Sequence, residues 1–266
     1  MHRTAVNAVQ LLDGDVVGGV RHWLAGSQTT ADRLRRYWSI PDDKISPYRH
    51  PALGAGERAT HRADPTSIAM VSRHEWPKRT ELAVAAIHHA TAATSLEAIG
   101  GGSRLPFVAD LDVRLARGDQ LSDDDLWLNR GPSTAGWLPA EGDGSGRLSL
   151  YGEINNDSRN ALINNAAAIV APAYNEDYGL TALEAFAAAK PLIVCHDGGG
   201  LTEFVTNEVT GLVVDPTPEA LADAMDRLVR DRRLAQRLAD SGYEHGQTFT
   251  IDAALDQFES GLNQLR

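Results

Sequence analysis

Residues 166–196 run apolar strand, loop, helix, apolar strand, and that order of periods leaves few folds open. Residues 166–173 are apolar and strand-like. Residues 181–190 are rich in strong helix formers and stop at Pro191, and residues 192–196 are apolar again. Two strands joined through a helix run parallel, and a parallel sheet must be covered by helices. The alternation extends in both directions. Strands are expected at 20–26, 67–72, 148–151 and 211–214, with a weaker one at 111–115. Helices are expected at 29–38, 80–98, 157–165, 218 to about 242, and 252–265, with a helical turn near Thr202. Residues 131–146, rich in Pro, Gly, Ser and Asp, read as a long insertion, and there is no internal repeat. The expected fold is an α/β, Rossmann-like doubly wound parallel sheet.

Composition narrows the chemistry. A formal net charge of −11 over 266 residues argues against nucleic acid and anionic membranes as partners. The single cysteine, Cys195, lies in an apolar strand and reads as core. No apolar run approaches the ~20 residues that span a bilayer. The N-terminus, with Asp13 and Asp15, does not read as a signal peptide. A cytoplasmic location is therefore expected.

Two carboxylates stand out. Glu176 falls on the loop after the 166–173 strand and Glu184 one turn into the following helix, so both flank a helix start. Unpaired amides and the helix dipole favour anions there. A phosphate on the amides with acceptors on either side describes a phosphorylated ligand bearing hydroxyls, as in a nucleotide sugar. Taken alone, the two acids also read as a solvated loop acid and a helix-start acid. In an open parallel sheet ligands bind beyond the carboxyl ends of the strands. Two further loops bring chemistry to that edge: Arg73 to Arg79 after the 67–72 strand, and Gly198, Gly199, Gly200 and Glu203 after the 192–196 strand. Arginine and lysine there can neutralise a diphosphate, and glycines admit close backbone approach.

The run from Glu176, Glu-Asp-Tyr-Gly-Leu-Thr-Ala-Leu-Glu-Ala, resembles the Glu–seven residues–Glu motif of retaining GT-B glycosyltransferases of family 4. The resemblance covers roughly residues 20–258 and is strongest over 166–216. It implies that Glu176 lies beside the donor sugar, that Glu184 accepts from the ribose hydroxyls, and that the amides of Gly179, Leu180 and Thr181 hold the diphosphate. The first loop is similar to the family's Gly-Arg-x-x-x-x-Lys pattern, which makes Arg73 and Lys78 diphosphate ligands, with Ser72 replacing the usual glycine. Gly199, Gly200 and Glu203 resemble the Gly-Gly-x-x-Glu turn, where Glu203 could equally serve as a cap. No metal or other cofactor is implied, and the nucleotide sugar is the ligand. His196 and Asp197 end a strand near the same edge. His88 and His89 are adjacent on one helix, so they cannot readily share a metal. Asp226, Asp231 and Asp240 alternate with arginines in a pattern that reads as a solvated helix face.

Two departures from the family pattern qualify the expectation. The family's glycine-rich turn after the second strand of this domain is expected at 114–119, where only Gly118 is present. Residues 23–38 resemble the end of the family's first, acceptor-binding domain, with only about twenty residues before them. The expected organisation is residues 1–50 as a remnant and linker, then 51–266 as the nucleotide-sugar-binding domain. Leu255, Phe258, Leu262 and Leu265 form an apolar stripe on the last helix. The expectation is a donor-binding glycosyltransferase half of hexosyltransferase type that takes its acceptor side from a partner subunit or a second copy. The alternative is a non-catalytic nucleotide-sugar-binding subunit on the same scaffold.

Overall fold

The computed structural model describes residues 17–52, 65–122, 125–126 and 142–265. The readings made for residues 1–16 and 131–141 lie outside that set. The chain divides into two compact units, one of Met1–Pro51 with Phe249–Arg266 and one of Ala52–Thr248.

In the first unit, β1 (Trp23–Ala25) pairs in parallel with β2 (Ile45–Pro47). Helix α1 (Gln28–Trp38) starts where the Ser27 hydroxyl accepts from the Thr30 amide and ends on Ser39 in the left-handed region. The final helix of the chain, α8 (Ile251–Asn263), packs on both strands. Gln257 Oε1 accepts from the Arg49 amide at 2.7 Å, and Phe258 meets Tyr48 edge-on. Leu255, Phe258 and Leu262, three of the four stripe residues, are nevertheless exposed.

The second unit is built on a six-stranded sheet in which every pairing is parallel. Its strands are β3 (Ser67–Val71), β4 (Ser95–Ile99), β5 (Leu148–Gly152), β6 (Ala168–Ala171), β7 (Leu192–Cys195) and β8 (Gly211–Val214), in the spatial order β5-β4-β3-β6-β7-β8. The chain lays strands outward from β3, crosses back, and lays the rest outward from β6. The switch point of this doubly wound sheet therefore lies between β3 and β6. Its helices are α2 (Thr80–His89), α3 (Leu105–Ala116), α4 (Asn156–Asn165), α5 (Leu180–Ala187), α6 (Pro218–Arg230) and α7 (Arg232–Gly246). Helix α2 is buried from Thr80 to Ile87 and packs between α3 and α6; α5 packs on α7. The central strands are apolar apart from Ser67 at the start of β3, as burial on both faces requires, and Cys195 is fully buried among them. Burial pushes its thiol up to about 12, which fits a core role.

Several sequence expectations change. The helix expected at 80–98 ends at His89, and Ser95–Ile99 is a strand paired along its whole length with β3. The reason is long-range. The Asp226 carboxylate of α6 accepts from the amides of Thr91, Ala92 and Ala93 and from the Thr91 hydroxyl, taking up amides that a continuing helix would use. Asp226 is therefore a buried clamp and not part of a solvated face. The strand expected at 111–115 belongs to α3, whose Val108, Leu111 and Leu115 share one helical face on the core, with Pro106 in the first turn. Because β4 is the second strand of this sheet, the turn that follows it is Gly100-Gly101-Gly102, not residues 114–119. A Cβ on Gly100 or Gly102 would fall 2.0 Å from Ser72 O or 2.3 Å from His74 O. These glycines let the loop after β3 lie against the turn after β4.

Candidate functional site

At the switch point the loops after β3 and β6 face each other. Lys78, from the first, places Nζ 2.6 Å from Oε1 and 2.5 Å from Oε2 of Glu176, from the second. Both side chains are only about a quarter exposed. Arg79, the next residue, has a buried guanidinium that grips both oxygens of Asp197, at 2.8 and 3.0 Å. The three loops after β3, β6 and β7 are thus tied together by charge.

Backbone bonds complete the tie. The Glu176 amide donates to Gly198 O, and the Gly200 amide donates to Glu176 O at 2.8 Å. Gly199 adopts φ +63, and a Cβ on it would lie 2.7 Å from Glu176 O. Gly199 and Gly200 therefore hold the backbone of Glu176 in place. Helix α5 begins at Gly179 with φ +110 and without a side-chain cap. A Cβ at Gly179 would stand 2.6 Å from Leu201 Cα, so only glycine fits this start. The uncapped amide end opens on a narrow crevice lined by Ser72, Lys78, Glu176, Gly179, Thr181 and Leu201, with apolar walls from β3 and β6. An anion there would meet amide donors, the helix dipole and one ammonium group.

Of the remaining sequence candidates, Thr181 lines this crevice and the others stand outside its lining. Glu184 is one turn into α5, and its Oε1 lies 2.8 Å from Nη2 of Arg159 on α4. Leu180 is exposed and Thr181 half-buried. Arg73 is exposed at the loop tip, on the same turn as Glu75. The Ser103 hydroxyl and amide hold the Glu75 carboxyl below the usual range, with Arg73 and Arg104 assisting. His196 faces Asp215 at 3.3 Å, and Asp197 is taken by Arg79. His88 bonds Asp112 at 2.7 Å. Among the described residues no group of His, Cys, Asp and Glu could hold a metal ion.

Three members of the neighbourhood escaped the sequence reading. Arg79 was one cation of a basic loop, and nothing local distinguishes it from Arg73. Arg159 gives no signal in its own segment, since its partner lies on another helix. The third is Ser72, which lines the crevice and whose buried hydroxyl finds no hydrogen-bond partner among the described residues. Its one sequence signal was that it stands where the resembled pattern has glycine.

This arrangement, a doubly wound parallel sheet with charged loops meeting at its switch point, defines a Rossmann-like α/β domain. Residues 143–245 match the family described as "Glycosyl transferases group 1". Over 100 residues the chain is 41% identical to the D-inositol 3-phosphate glycosyltransferase of Corynebacterium glutamicum (strain R), a stretch that is 37% of this chain and 24% of that protein. It is 32% identical over 114 residues to the alpha-D-kanosaminyltransferase of Streptomyces kanamyceticus, or 42% of this chain and 29% of the relative. The matched stretches thus span about a quarter of these relatives' length. Among solved structures, the sucrose-phosphate synthase of Thermosynechococcus elongatus superposes with a TM-score of 0.73 at 23% identity, covering 97% of this chain and 62% of that one. Anabaena HepE, solved in complex with UDP and glucose, gives 0.69 at 15% identity, covering 92% and 63%. These likenesses show the fold. No helix among the described residues is long and apolar enough to cross a membrane.

Proposed function

We propose that this chain binds the nucleotide-sugar donor of a retaining glycosyltransferase reaction. The observation that carries the reading is the Lys78–Glu176 pair beside the uncapped start of α5, at the switch point of the sheet. On this reading the diphosphate sits on the amides of Gly179, Leu180 and Thr181 and is neutralised by Arg73 and Lys78. Glu184 accepts from the ribose hydroxyls, and Glu176 from the sugar.

During transfer the bond between the anomeric carbon and the diphosphate oxygen breaks, and its electron pair leaves with the diphosphate. The acceptor oxygen bonds the same carbon on the same face, and its proton passes to the departing diphosphate oxygen. The residues named supply fixed positive charge where the leaving diphosphate gains negative charge, and a carboxylate near the electron-poor sugar. On this reading the transfer proceeds without a metal.

Calorimetric titration with UDP, GDP, ADP and dTDP tests the reading. One of them should bind, about tenfold or more weaker to Lys78→Ala than to wild type, with the bare nucleoside far less affected. Absence of binding by all four, or binding indifferent to Lys78 and Glu184, overturns it.

A further inference from the structure

We infer that Trp76 and Tyr174 form a binding surface for a pyranose ring on the two loops that carry Lys78 and Glu176, an inference that rests on the donor-binding reading above. Trp76 lies between Arg73 and Lys78 and is 46% exposed; Tyr174 lies two residues before Glu176 and is 37% exposed. Their ring centroids are 6.3 Å apart with planes inclined at 48°, which makes an open aromatic corner spanning the switch point.

The corner is held rigid from below. The Tyr174 amide donates to Pro77 O at 2.9 Å, which joins the two loops through their backbones. The Arg79 guanidinium lies 4.7 Å from the centroid of the Tyr174 ring. Arg79 is only 2% exposed and is anchored on both oxygens of Asp197. Tyr174 therefore rests on a fixed cation, and little side-chain freedom remains for a ligand to remove.

The chemistry of the neighbours selects the ligand. Large rings held partly in water offer flat apolar area with little conformational entropy to lose. Next to them stand a carboxylate and an ammonium, Glu176 and Lys78, which serve hydroxyl groups. A ligand with one C–H face and a rim of hydroxyls satisfies both, and a pyranose is such a ligand. A nucleobase also stacks on aromatic rings. It is disfavoured here because the proposed reading puts the nucleoside end at Glu184 on α5, while Trp76 and Tyr174 each stand two residues before a member of the Lys78–Glu176 pair.

The ring can come from the donor's own sugar or from a separate acceptor glycoside, and two titration arms separate these sources. In the first, the nucleoside diphosphate that binds best and its glucose, galactose and mannose conjugates are titrated into wild type, Trp76→Ala, Trp76→Phe and Tyr174→Leu. In the second, the methyl α-glycosides of the same sugars are added to nucleotide-saturated protein, with binding read by saturation transfer to their C–H protons. The unconjugated nucleotide should bind all four proteins alike, which also shows that the site remains folded. Trp76→Ala and Tyr174→Leu should weaken either the conjugate or the free glycoside about three- to tenfold, and Trp76→Phe should restore most of the loss. Conjugates and glycosides unaffected by both substitutions overturn the inference, as does loss of the unconjugated nucleotide in Trp76→Ala. Failure of wild type to bind any of the four nucleotides instead removes the donor-binding reading, and this one with it.

Discussion

Lys78 Nζ is bound by both carboxylate oxygens of Glu176, a residue 98 positions further along the chain. Neither residue is deeply buried, so the pair is a working contact more than a core ion pair. On the proposed reading, an incoming phosphate and Glu176 draw on the same ammonium group.

The first prediction follows from that competition. Glu176→Gln removes a negative charge beside the phosphate position and frees Lys78. Nucleoside diphosphate binding should tighten several-fold while sugar transfer falls by at least about a hundredfold. Arg73→Ala and Lys78→Ala should each weaken the diphosphate more than the nucleoside. Titration calorimetry and a transfer assay read these effects, and a weaker diphosphate in Glu176→Gln would contradict the assignment.

The second prediction concerns Glu184. Losing a charged acceptor for the ribose should weaken nucleoside diphosphate binding about tenfold in Glu184→Ala. Arg159→Ala should change it by less than about threefold, the scale of a partly exposed ion pair. If Arg159→Ala costs more than Glu184→Ala, the arginine and not the carboxylate is the ligand group.

Ser72 provides a test in which stability and binding move apart. Its buried hydroxyl has no partner among the described residues. Ser72→Ala should leave the melting temperature unchanged or raise it, because an unsatisfied polar atom is removed. On the proposed reading the same change should weaken nucleoside diphosphate binding about threefold or more, since Ser72 lines the crevice and its hydroxyl is left for a ligand to satisfy. Lower stability with unchanged affinity would make the hydroxyl structural.

Asp226 predicts a pH dependence. Burial works to raise its pKa, but the Thr91 hydroxyl and the amides of Ala93, Thr91 and Ala92 outweigh burial and bring it down to about 2. A folded-state value below the unfolded one gives stability that is present above the unfolded pKa and is lost as the pH falls through the folded one. Stability should therefore drop between roughly pH 4 and pH 2, by ~2 kcal/mol from this group. Chemical denaturation of wild type and Asp226→Ala across that range checks it. The variant should start about 3 kcal/mol less stable and lack that part of the pH slope.

Legibility in the sequence followed the range of the interactions. The unit from β6 through α5 to β7 was readable because its signals are local: an apolar strand, Gly179 before a run of helix formers, and a proline stop at Pro191. The positions of Glu176 and Glu184 around the start of α5 follow from spacing alone. Strand β4 was not readable, because Asp226, more than 130 residues away, decides where α2 ends and so releases Ser95–Ile99 to pair with β3. With β4 hidden, the glycine turn at 100–102 was also sought in the wrong place.

By itself the sequence determined the parallel α/β class, the edge of the sheet that carries the chemistry, and the residues of that edge, since periodicity and turn chemistry act within a few residues. Only the tertiary structure decided which charges meet. Lys78 with Glu176, Arg79 with Asp197 and Tyr174, and Arg159 with Glu184 are pairings across different loops and helices. Their partners are chosen by strand order and register, which a one-dimensional pattern does not encode.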